Sequence, residues 1–152
     1  MRIVNAWWAA IAVISLVVIA PAALGQPDHG DRRSHSRKLI DNWNTSACDM
    51  TDMAEFTLDR SVRVNRIEVW YRWRNREGSV GYTLSKDGQI LRSGVLTRSD
   101  CDPYQEKWCV AVNGFDLWLR PGTYLVRTER PRICQNSGSG GNGFVKVYGS
   151  PR

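Results

Sequence analysis

From Ala54 onward the chain reads as short runs of alternating apolar and polar residues, separated by turn residues, with no helical period of useful length. Ala54 to Leu58 alternates around Phe56 and Leu58. Val62 to Trp73 is the longest strand expected. Its apolar positions begin on Val62 and Val64, then change parity to Ile67, Val69, Tyr71 and Trp73. Side chains repeat every two residues along a strand, so a change of parity flips the buried face; a bulge or bend is predicted near Asn65-Arg66. Residues 75–79 (NREGS) turn the chain, and Val80, Tyr82 and Leu84 then line one face. Lys86-Asp87-Gly88-Gln89 carries an Asp-Gly hairpin signal leading into Ile90–Arg98. Trp108, Val110 and Val112 alternate next. Leu117 and Leu119 precede the turn Arg120-Pro121-Gly122, Tyr124 and Val126 point inward from Thr123–Thr128, and Phe144 to Tyr148 closes the domain. Eight or so strands in about 110 residues predict an all-β fold, an antiparallel β-sandwich of jelly-roll type. An immunoglobulin-type sandwich is second, weakened because the Cys…Trp…Cys order is absent.

The N-terminal pattern is different. Arg2 is followed by an uncharged apolar run from Ala6 to Ala20, and Pro21 and the small residues Ala23 and Gly25 come next. This is the layout of a secretory signal peptide, residues 1–25, cleaved to leave Gln26. An uncleaved anchor is the rival, since the run to Leu24 is nearly long enough to span; the helix-breaking Pro21 and the small-residue exit favour cleavage, and then no stable membrane insertion follows. Residues 26–39 read as a flexible polar linker, too poor in apolar side chains to order themselves. A β-domain over residues 40–152 remains.

An exported chain with an even set of cysteines favours disulfides over free thiols. Four cysteines permit three connectivities. Cys101–Cys109 needs little chain search, and Cys48–Cys134 ties the start of the domain to its end, so this pairing is favoured. Loop-closure entropy gives about 2.6 kcal/mol for the short loop and about 4.6 kcal/mol for the long one. Zinc fits poorly, because no close CxxC pair exists and both histidines, His29 and His35, lie in the linker. A solvated tail accounts for those histidines better than a metal site.

Charge narrows the partners. The formal net charge is +6, and 17 of the 21 basic residues are Arg. Outside the cell this favours acidic glycans, lipid headgroups or acidic proteins over nucleic acid; Arg usage in a GC-rich genome explains the excess equally well. Arg60, Arg63, Arg66, Arg72, Arg74 and Arg76 are the densest basic run, relieved by Glu68 and Glu77.

The C-terminal third holds an ordered series: Pro121-Gly122-Thr123-Tyr124, Cys134-Gln135-Asn136, Ser139-Gly140-Gly141, Gly143-Phe144 and Val147-Tyr148-Gly149. Over about residues 120–150, and loosely over Phe56–Trp73, the chain resembles secreted bacterial β-sandwich modules of the galactose-binding-like type. The resemblance implies a jelly roll and carries no catalytic residue across; sugar binding enters by analogy alone.

Catalysis has little support. No histidine lies inside the domain to serve as a base, and no nucleophile elbow, phosphate-cradling motif or metal-ligand cluster appears. Asp49 with Asp52, or Asp100 with Asp102, are carboxylate pairs without a context that marks glycoside hydrolysis. No cofactor is implied.

Aromatics lead instead. If Ile67, Val69, Tyr71 and Trp73 face the core, Glu68, Trp70, Arg72 and Arg74 share the outer face. There an indole can stack on a sugar ring while Arg and Glu bond its hydroxyls or acidic substituents. Trp118 and Tyr104 are weaker candidates of the same kind. The plain alternative is that Trp70 packs under a loop. Similarly, the Gly-rich stretch 136–143 allows close backbone approach, either to a ligand or in a tight crossing into the last strand.

The expectation is a non-enzymatic periplasmic or secreted module binding carbohydrate or another acidic envelope component. The alternative is an envelope protein-interaction domain or inhibitor acting through the Cys101–Cys109 loop.

Overall fold

The computed structural model describes residues 36–151, except the side chain of Glu106. The expected signal segment and its cleavage site, linker residues 26–35 and both histidines lie outside the described residues.

The strands are β1 (Arg37–Asp41), β2 (Asp49–Thr51), β3 (Met53–Leu58), β4 (Val62–Arg72), β5 (Ser79–Lys86), β6 (Gln89–Asp102), β7 (Gln105–Leu119), β8 (Gly122–Thr128), β9 (Ile133–Gln135) and β10 (Val145–Pro151). One 3-10 turn at Ser137–Ser139 precedes the last. Every pairing is antiparallel. The strand order is β1-β10-β4-β7-β6-β5-β8-β3, with β9 beside β4 and β2 beside β9. The chain is all-β.

Each buried row follows from its alternation. β3 buries Ala54, Phe56 and Leu58; β5 buries Val80, Tyr82 and Leu84; β8 buries Tyr124 and Val126. Rows from β3 and β10, which lie far apart in the strand order, enter the same core cluster. The Gly143 N–H donates to the Met53 carbonyl at 3.1 Å, so the ladder folds back on itself.

The parity change in β4 is a bulge. Val62 and Val64 are buried, then Ile67, Val69 and Tyr71, and the pairing with β7 shifts between Val64 and Arg66. The β10 register shifts alongside it, between Tyr148 and Gly149. A Cβ on Gly149 would collide with the Arg63 carbonyl oxygen, which is why glycine stands there. At the β5–β6 hairpin Asp87 and Gly88 both take positive φ, 49° and 78°, as a two-residue turn matched to strand twist requires.

Three strands have no alternating signal. β1 includes Arg37, Lys38 and Leu39, which fall in the stretch read as linker. β1 pairs with β10 through backbone groups, which need no apolar side chain, and Leu39 and Ile40 pack against the core. β2 and β9 are three residues each. Conversely, the two strands expected at 108–112 and 117–119 are one continuous strand, β7. In it Cys109 and Ala111 face the core, so Trp108, Val110 and Val112 lie on the outer side.

Both disulfides pair as expected, Cys48–Cys134 and Cys101–Cys109. Two disulfides suit an oxidising, extracytoplasmic compartment. Among the described residues no helix is long and apolar enough to cross a membrane.

Candidate functional site

Residues paired across antiparallel strands project on the same face. On the outer face of β4, Lys146 of β10 opposes Glu68, Val110 of β7 opposes Trp70, and Trp108 opposes Arg72. The segment between β1 and β2 crosses this face. Its Trp43 ring lies 5.3 Å from the Trp70 ring at 53°, and Lys146 Nζ sits 3.7 Å from the Trp43 ring centroid, close enough for a cation–π contact.

Several anchors hold that segment. Asn42 Oδ1 accepts the Val145 N–H at 2.7 Å, and its Nδ2 donates to the Gly143 carbonyl at 3.0 Å. Asn44 and Asn136 exchange amide hydrogen bonds of 3.0 and 2.7 Å. Asn136 also caps the 3-10 turn, while Gly140 and Gly141 take positive φ. The Gly-rich stretch is therefore a structural turn whose leading Asn buttresses the crossing segment. Cys48, bonded to Cys134, pins the far end. At the near end, burial raises the Asp41 carboxyl, but hydrogen bonds from Lys38 and the Trp43 N–H outweigh it and hold the group below the usual carboxylate range.

Between this wall and the disulfide-closed end of the β6–β7 hairpin lies a cleft of about 540 Å³, within the size range of small-molecule sites. Three half-buried indoles line it, Trp43, Trp70 and Trp108, with Phe144 beneath and Asn44 and Gln105 supplying polar groups. Asp102 marks one side, its Oδ1 accepting the Tyr104 N–H at 2.7 Å. Among the described residues no His, Cys, Asp or Glu cluster is arranged to hold a metal ion.

The candidates read from strand parity separate here. Trp70 is on the outer face and in the cleft, half covered by Trp43. Arg72 and Arg74 line an adjoining groove of about 590 Å³. Glu68 shares the face, but its carboxylate accepts from the Tyr148 hydroxyl at 3.1 Å and pairs with Arg66 at 3.2 Å; burial and this carboxylate both push the Tyr148 phenol up. Trp118, 53 % exposed, stands at the opposite end of β7 beside Ser61 and Arg120. Tyr104 is 94 % exposed at the loop tip and outside the cleft lining. Of the carboxylates weighed for hydrolysis, Asp52 is paired with Arg127.

Trp43, Asn44, Gln105 and Trp108 in the cleft, and Lys107 in the adjoining groove, were missed. Trp108 has the parity of Val110 and Val112, but its place opposite Arg72 depends on a register that alternation does not encode. Trp43 lies in a non-alternating stretch; its only signal is an indole between two asparagines shortly before a cysteine. No protein-family model matches the chain, and no curated protein matches it either.

Proposed function

We propose that the chain is an exported, non-enzymatic carbohydrate-binding module holding a saccharide in the cleft between Trp43, Trp70 and Trp108. The observation that carries this reading is the convergence of three indoles from separate elements on one outward cleft, with amide side chains at its rim. Indole faces supply flat apolar area for the C–H face of a pyranose, and Asn44 and Gln105 supply donors and acceptors for hydroxyls.

The strand order supports reading the fold as a jelly roll. Setting aside β2 and β9, the order divides into two rows of four, β1-β10-β4-β7 and β6-β5-β8-β3, the interleaving of two Greek keys. That is the architecture the galactose-binding-like resemblance implies, and the three-indole cleft lies on the outer side of the first row.

The test is a glycan array probed with the purified full chain and with Trp108→Ala. Selective retention is expected, and Trp108→Ala should weaken it by about 1–3 kcal/mol, the loss of one large aromatic contact. Its melting temperature should change little, because Trp108 lies outside the core cluster. Absence of any retained glycan, or retention indifferent to Trp108→Ala, would refute the reading. A protein partner at the exposed Tyr104 loop would then be the better account.

A further inference from the structure

The aromatic cleft does not end at Trp108. Gln105 and Trp108 also line a smaller hollow together with Arg72 and Lys107, and those two cations in turn line the groove shared with Arg74, Asn75 and Arg132. Arg72 is the register partner of Trp108, so the indole and the guanidinium are direct cross-strand neighbours on one face. A continuous path therefore leads from three indoles to a cationic trough.

The state of these cations separates them from much of the arginine-rich surface. Arg63, Arg66, Arg127 and Arg130 each meet a carboxylate, and Arg132 is held by Glu77 at 2.8 Å. None of the ion pairs among the described residues uses Arg72, Arg74 or Lys107. Glu77, which accepts from the Arg74 backbone N–H, is already occupied by Arg130 and Arg132. Three charges left unneutralised around one groove lower the cost of bringing an anion there, and a guanidinium matches the paired oxygens of a carboxylate or phosphate. At the other end Asp102 repels an anion from the aromatic cleft.

Building on the carbohydrate reading, we propose that the ligand is an acidic saccharide, oriented with a ring on Trp70 and Trp108 and its anionic substituent (carboxylate, sulfate or phosphate) against Arg72, Arg74 and Lys107.

The experiment uses an array of neutral glycans alongside the same backbones carrying uronate, sulfate or phosphate, probed with the full chain, with an Arg72→Gln/Lys107→Gln double variant and with Trp108→Ala. Acidic members should bind at least about tenfold more tightly than their neutral counterparts, and the margin should shrink as salt rises. The double variant should lose that margin while keeping its affinity for neutral members, and the preferred acid identifies the substituent. Equal binding of neutral and acidic members, or a margin that survives in the double variant, would overturn this inference and leave the carbohydrate reading standing. An acidic margin with no dependence on Trp108 would overturn the aromatic platform and retain the cationic groove. No retention of any member would overturn both.

Discussion

Tyr71 is wholly buried, and its hydroxyl has no hydrogen-bond partner among the described residues. An unsatisfied buried hydroxyl costs about 1–3 kcal/mol, so Tyr71→Phe, which removes only that oxygen, should stabilise the protein by about 1 kcal/mol in urea denaturation. Burial, and then the nearby Glu77 charge, push the phenol above its ordinary value. The sign follows from that direction. Below pH about 10 both folded and unfolded states keep the proton and the full stability is present; above it the unfolded chain ionises first, and stability falls as pH rises toward the folded value. Tyr71→Phe should therefore flatten the alkaline limb of a stability–pH profile. An unchanged limb would assign it to Tyr82, Tyr124 and Tyr148, also raised by burial. At this scale the sequence revealed which face Trp70 occupies and concealed what covers it. Parity is local, whereas Trp43 reaches Trp70 through Asn42, Asn44 and a disulfide whose partners lie near the other end of the chain.

Among elements, the strands that could be read are those with one wet and one dry face. β3, β5 and β8 matched their alternation, and the change of phase in β4 located its bulge. β1, β2 and β9 escaped because three to five residues are too few for an alternation to show, and in β9 Ile133 and Cys134 are buried side by side. The hairpin glycine Gly88 and the strand glycine Gly149 make contrasting predictions. Gly88→Ala meets no atom within 4 Å but keeps φ at 78°, so it should cost about 1 kcal/mol from backbone strain alone. Gly149→Ala drives a methyl group into the Arg63 carbonyl at the bulge, where β4 and β10 must part to admit it, and should cost about 2–3 kcal/mol. Thermal denaturation ranks the pair; the opposite order would mean the bulge yields more readily than the hairpin.

For the whole molecule, the chain's all-β class and its two bridges were legible, the first from alternation along the chain and the second from the number and separation of the cysteines. The site was half legible: its outer face lies along one strand, but its depth depends on three elements meeting. The bridges divide the stability unequally. Replacing Cys48 and Cys134 by Ser should cost up to about 4.6 kcal/mol, and replacing Cys101 and Cys109 up to about 2.6 kcal/mol, measured as paired denaturation curves. Similar losses would point away from loop entropy. The longer bridge also closes the crossing segment that forms one wall of the cleft, so the thiol form of the protein lacks the covalent clasp on that wall. One sequence thus has two forms of this wall, fixed covalently in the oxidised chain and held only by its hydrogen bonds and packing in the reduced one.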